Sequence, residues 1–206
     1  PQITLETGTT DAVINYTSGS NTTVLTFTYT VAAGDTSSDL DYADTSSLAL
    51  NSGTILDLNG NAAVLTLPVP GATNSLGANK ALVVDGVVPA TPTGFAATDG
   101  NTSINLDWTA NTESDMAFYR IYGDTAANPV IVLSTISSSS QIYTHSGLIN
   151  GKTYYYRISA LDVAGNESAK SSDISKAPKP QKYTVKIDST GDFLSIQACI
   201  EITADY

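Results

Sequence analysis

Residues 22–31 read TTVLTFTYTV. Leu25, Phe27, Tyr29 and Val31 fall on one side of an extended chain, and Thr26, Thr28 and Thr30 on the other. A period of two carried by β-branched and aromatic residues specifies a strand with one buried face. The same texture repeats outward from this run. Ile3–Leu5, Ala12–Tyr16, Ser47–Leu50, Ala63–Leu67 and Ala81–Asp85 are expected strands. Between them SGSN (18–21) and DLNGN (57–61) read as turns, and Asn59-Gly60 is a strong hairpin signal. The segment predicts a β-sandwich.

VDGVVPATPTG (84–94) marks a boundary, because prolines and glycines punctuate it and the alternation restarts afterwards. INLDW (104–108), AFYRIYG (117–123), PVIVLSTI (129–136), QIYTHSGL (141–148) and TYYYRISALDVAGNES (153–168) form a second series of short strands. Their spacing predicts a second sandwich. Tyr119 and Ile121 should face inward, as should Tyr154, Tyr156, Ile158 and Ala160. APKPQK (177–182) reads as a stiff, extended linker. After it, STGDFLSIQACIEITADY (189–206) reads as a Gly turn and a short amphipathic helix, with Asp192 as its N-cap and Ile196, Cys199, Ile200 and Thr203 on one face. A helix with nothing to pack against suggests that the chain is a piece of a longer one.

The 206 residues are 41% hydrophobic and only 14% charged, a composition that suits folded domains. The formal charge is −11, divided as −7 over 1–87, −3 over 88–178 and −1 over the remainder. So acidic a chain, with two arginines, repels a phosphate backbone, and nucleic acid is not an expected partner. No apolar run approaches membrane-spanning length, so membrane insertion by a helix is not expected. Cys199 is the single cysteine, which rules out an internal disulfide.

Three resemblances follow from these residues. ITLETG (3–8), LTFTYTVAAGDTSSDLDYA (25–43), LALNSGTILDLNGNAAVLTLP (48–68) and LGANKALVVDG (76–86) resemble the bacterial Ig-like repeats of large surface proteins. That family's pattern has about two further strands upstream. The module would therefore begin in mid-domain and leave an open edge, to be covered by upstream residues, the adjoining module or another copy. Pro89–Pro178 resembles a fibronectin type III domain, with Trp108 at the strand B core position and Leu148 with Tyr154 forming a tyrosine corner. YTVKIDSTGDFLSIQACIEI (183–202) resembles the start of pectinesterase-like right-handed parallel β-helices, with a strand at Tyr183–Ile187 before the helical cap. No position here matches that family's catalytic carboxylates. The expected class is all-β: tandem sandwiches over 1–87 (Ig-like) and 88–178 (fibronectin type III), then a linker and truncated β-helix cap over 179–206.

His145 is the only histidine, and no GxSxG elbow accompanies it, so it reads as an edge or surface residue rather than a catalytic base. Asp39, Asp41 and Asp44 lie close together in SSDLDYAD, and clustered carboxylates can ligate Ca²⁺. DLNGN resembles half an EF-hand loop, but Ala62 and Pro68 break the pattern; DVAGN (162–166) repeats its outline, and both read as turns. Asp85, Glu113 and Asp115, with Asp162, are the sharper Ca²⁺ candidates, since the fibronectin resemblance brings their loops towards one pole. Phe118, Arg120, Tyr122, Tyr155 and Arg157 should face outward on neighbouring strands, as a glycan-stacking strip or as plain sheet stabilisation.

Two roles are expected from the sequence. One is a non-catalytic spacer or adhesion segment of an extracellular bacterial surface protein. The other is an ancillary segment of a secreted polysaccharide-degrading β-helix enzyme. Its partners would be the adjoining domains of the same polypeptide, and glycans in a recognition role. Ca²⁺ is the only cofactor the acids suggest.

Overall fold

The computed structural model describes residues 1–181. The expected strand at 183–187 and the helical residues Asp192, Ile196, Cys199, Ile200 and Thr203 lie outside them. The described residues divide into two compact units, Pro1–Pro89 with Leu161–Ser168, and Ala90–Ala160 with the described residues from Ala169 onward. The described residues are all-β but for one short helical turn.

In the first unit, β1 (Gln2–Leu5) pairs antiparallel with β2 (Ala12–Ser18), Ile3 opposite Ile14 and Leu5 opposite Ala12. The sheet continues to β3 (Thr26–Phe27) on one side and β5 (Leu48–Ala49) on the other, in the order β3-β2-β1-β5. A second ladder joins β4 (Thr36–Ser37) to β6 (Val84–Asp85). Leu5, Leu40, Tyr42 and Val84 are buried together, with Ile3, Ile14, Tyr29, Leu67 and Leu76 packed against them. The single turn of helix α1 (Leu76–Asn79) is capped by the Ser75 hydroxyl, which accepts from Ala78 N.

Four expected strands are shorter here than their alternation implies, and of 47–50 only Leu48 and Ala49 join a ladder. Of 22–31 only Thr26 and Phe27 join a ladder, and of 81–85 only Val84 and Asp85. Residues 63–67 form no strand; Ala63 N donates to Ile55 O and Leu67 N to Thr45 O. The reason is physical: alternation marks which face is apolar, but a ladder needs a neighbouring backbone, and among the described residues these segments have little of one.

In the second unit, β9 (Met116–Asp124), β10 (Val132–Ser137), β12 (Tyr154–Asp162, whose last two residues are counted with the first unit) and β13 (Ile174–Lys176) form one sheet, ordered β10-β9-β12-β13. A second sheet, ordered β11-β8-β7, holds β7 (Ala96–Gly100), β8 (Ser103–Asp107) and β11 (Ile142–Ser146). Alternate residues meet between the sheets: Ile104 and Leu106 from β8, Tyr119 and Ile121 from β9, and Tyr156, Ile158 and Ala160 from β12, closed by Trp108 and Leu148. Fully burying each aliphatic side chain contributes about 1.5–3 kcal/mol before chain entropy is counted.

Candidate functional site

The two loops of the form DxxGN adopt the same structure. Asp57 N donates to Asn61 O at 2.9 Å and Asp162 N to Asn166 O at 3.2 Å. Each Asp carboxylate accepts from the backbone N–H of the following Asn (2.9 and 2.8 Å) and from its side-chain amide (2.8 and 2.9 Å). Gly60 and Gly165 close the turns at φ 84° and 93°, a conformation that costs glycine no Cβ clash. The carboxylates therefore act as turn organisers, and the donors of Asn61 hold the Asp57 carboxyl below its usual range. Asn166 also donates from Nδ2 to Asp85 O at 3.0 Å.

Asp41 is spent in a similar way. Its carboxylate accepts from the N–H groups of Tyr42 (2.9 Å), Gly71 (3.0 Å) and Leu76 (3.2 Å). Burial pushes its carboxyl up, but the backbone donor of Gly71, with Ser75, Tyr42 and Gly77, outweighs this and holds it below the usual carboxylate range. Asp39 Oδ1 accepts from Leu82 N at 3.3 Å, and both carboxylates flank Gly77. Together with Glu6 they line an open concavity of about 250 Å³. Asp44 is turned to Ser46 and Ser47.

Asp85 Oδ1 accepts from Val87 N at 3.1 Å, and within the first unit the carboxylates of Asp85 and Asp162 come within 4.8 Å of each other. In the second unit Glu113 Oε1 accepts from Ala90 N at 2.6 Å, which is the leading cause of its lowered pKa. Asp115 is half-buried in the same loop.

His145 lies on the edge strand β11, half-buried in an aromatic cluster rather than beside a nucleophile. Nδ1 shares a hydrogen with the buried Tyr156 hydroxyl at 3.0 Å. The ring stacks on Tyr143 and meets Tyr154 and Tyr156 edge to face. Burial pushes its pKa below the ordinary value. Tyr156 is shifted upward, first by burial.

On the outer face of β9 and β12 the expected strip is only partly open. Phe118 is exposed, and Arg120, Tyr155 and Arg157 are half-buried. Tyr122 departs from the expectation: it is only 4% exposed, and the Lys170 ammonium sits 4.4 Å from its ring centroid. The ring face that would stack on a sugar is already occupied by a cation. Arg157 Nε lies 2.7 Å from Asp173 Oδ1. Sequence spacing could not find Lys170 or Asp173 as covers, because both precede β13 in an irregular segment.

Trp108 packs edge to face on Tyr119 and Phe95. Leu148 is buried, and the Tyr154 hydroxyl accepts from Ile149 N at 3.1 Å, bonding backbone upstream of its own strand. Sequence reading also missed how the chain leaves β13. Pro178 O accepts from Gly151 N at 2.8 Å, and Lys179 N donates to Gly100 O at 3.0 Å. Lys176 and Lys179 both reach the Asp99 carboxylate, at 3.2 and 3.4 Å.

Residues 90–176 match the fibronectin type III domain family. Exoglucanase A of Cellulomonas fimi is 32% identical over 124 residues, covering 58% of this chain and 13% of that protein. Chitinase A1 of Niallia circulans is 30% identical over 171 residues, covering 82% of this chain and 19% of that protein. The chain thus spans about a fifth or less of the length of these curated relatives. Among solved structures, an Fn3-like protein from Clostridium thermocellum is 28% identical over 46% of this chain and 99% of that chain, with a TM-score of 0.39.

Proposed function

We propose that the chain is a non-catalytic accessory segment of a secreted bacterial protein that degrades polysaccharide, its sandwiches serving as spacers for a catalytic region elsewhere in the polypeptide. The observation that carries this reading is the similarity to chitinase A1. It extends over 82% of this chain, well beyond the fibronectin type III match, yet takes up only 19% of the relative. A segment of that kind is an ancillary part of a larger enzyme. The geometry supports it from the other direction. The sole histidine is engaged by a phenol, and most of the candidate carboxylates are occupied by N–H donors. Chitin and other polymeric substrates are too large to enter a cell, which favours an extracellular location.

Within this reading the segment spaces more than it recognises. The covered ring of Tyr122 leaves Phe118 and Tyr155 as the aromatics available for glycan stacking. The test is direct. The purified chain, incubated with chitin, cellulose and pectin, should release no reducing sugar and should stay in the supernatant when the insoluble polymer is pelleted. Release of reducing ends would overturn the accessory reading. Co-sedimentation abolished by Phe118→Ala would replace spacing with recognition.

A further inference from the structure

Residues 22–31 are only sparsely paired within the first unit. Among the described residues β3 is an edge strand, paired with β2 alone. Beyond it, Tyr29, Thr30 and Val31 make no backbone hydrogen bond to any described residue. Val24, Leu25 and Val31 remain 65%, 38% and 46% exposed. The segment is nonetheless anchored at both ends. Thr22 Oγ1 donates to Val24 O at 2.8 Å, while Ala32 N and the Tyr29 hydroxyl both donate to Asp35 Oδ2, at 2.8 and 2.6 Å. A fixed row of unpaired N–H and C=O groups is a template for another strand. Natural edges are usually blunted by lysine, other charges or proline. From Ala12 to Gly34 there is no charged residue and no proline.

We propose that this edge pairs with the same edge of a second copy of the chain, antiparallel about a two-fold axis through Thr28. The sequence around Thr28 is a pseudo-palindrome. Turning it end for end sets Phe27 opposite Tyr29, Thr26 opposite Thr30 and Leu25 opposite Val31. Aromatic pairs, threonine pairs and β-branched pairs are the cross-strand combinations that stabilise a sheet. Because the pattern reads the same in both directions, the apolar face of one copy continues into the apolar face of the other. This is what an isologous interface requires. Electrostatics permits contact here: residues 1–87 carry a net charge of −7, but no charged side chain lies between Ala12 and Gly34 to repel a second copy.

Sedimentation of the full chain from low micromolar to near millimolar concentration should show a monomer–dimer equilibrium. Thr28→Lys sets two ammonium groups opposite each other at the axis and should weaken association about tenfold or more. Val64→Lys, at an exposed position outside this run, should leave it unchanged. Circular dichroism of both variants checks that they fold. A cross-link then fixes the register independently. Directly opposed residues have Cα atoms about 4.5–5.5 Å apart, within reach of a disulfide. In a Cys199→Ser background, Thr28→Cys should therefore oxidise to a covalent dimer, whereas Thr26→Cys, which faces Thr30, should not. A chain monomeric at every concentration overturns the proposal. So does a dimer indifferent to Thr28→Lys, or equal cross-linking at both positions. A monomer whose Tyr29–Val31 amides exchange slowly would mean that another segment of the same chain covers the edge, and would also overturn it.

Discussion

The two units are written in the same alternating style, yet they use it differently. In the second unit β9 and β12 each run for nine residues and their alternate side chains meet in a core of nine buried residues. In the first unit, most strands beyond β1 and β2 are two residues long, and the corresponding core holds four. Hydropathy patterning is comparable, so patterning is not what separates them. The second unit supplies each long strand with neighbours on both sides. The first leaves apolar alternation at 24–31 and 63–69 with exposed side chains on what should be the inner face. Periodicity tells a strand which way to face; only a partner makes it a strand.

The sharpest way to break this comparison is to delete core volume in each unit. Ile158→Ala removes a fully buried side chain among tightly packed neighbours and should cost about 2–5 kcal/mol. Such a loss should lower that unit's calorimetric transition by about 10 °C or more. Leu5→Ala should lie at the bottom of the same range, about 2 kcal/mol, because half-exposed neighbours can relax into the gap. Equal shifts in the two transitions would remove the distinction between the cores.

A pH titration sharpens the comparison next. His145 is buried as a neutral ring among Tyr143, Tyr154 and Tyr156, with its folded pKa depressed below the ordinary 6.5. The unfolded chain therefore binds the proton more readily. The stability this burial confers is complete above about pH 6.5 and is lost as pH falls from there towards the folded value. Melting curves between pH 7.5 and pH 5 should show the second unit's transition declining, and His145→Phe should flatten that decline. An unchanged slope in the variant would show that the imidazole is not its source.

The smallest expected effect is that of calcium. The oxygens of Asp41, Asp57 and Asp162 already accept N–H donors, and Asp85 accepts from Val87 N. A cation would have to displace bonds rather than fill vacant ligands. Millimolar calcium should therefore shift neither transition by more than about 1 °C. A rise of several degrees would reveal an oxygen cage that these bonds conceal.

How much of this was legible in the sequence follows from the kind of interaction involved. Inward residues such as Tyr119, Ile121, Tyr156 and Ile158 were legible because alternation is local and the strands are long. The Tyr154 hydroxyl bond was suggested by its spacing from Leu148, and the DxxGN turns by glycine chemistry. Contacts between residues distant in sequence left no such trace. Lys170 over Tyr122, Asp173 on Arg157, and Asp41 gathering the N–H groups of Gly71 and Leu76 depend on where irregular segments come to rest. Strand length in the first unit was overread for a related reason, since the sequence states a preference for pairing without stating whether a mate is present.

The exit from β13 has a mechanical consequence. A tug on the residues beyond 181 does not reach β13 directly. It must first part the backbone bonds Lys179–Gly100 and Gly151–Pro178 and pull the Lys179 ammonium off Asp99. The APKP segment therefore behaves as a riveted strap rather than a loose tether, and the sheet behind it is shielded until the rivets fail.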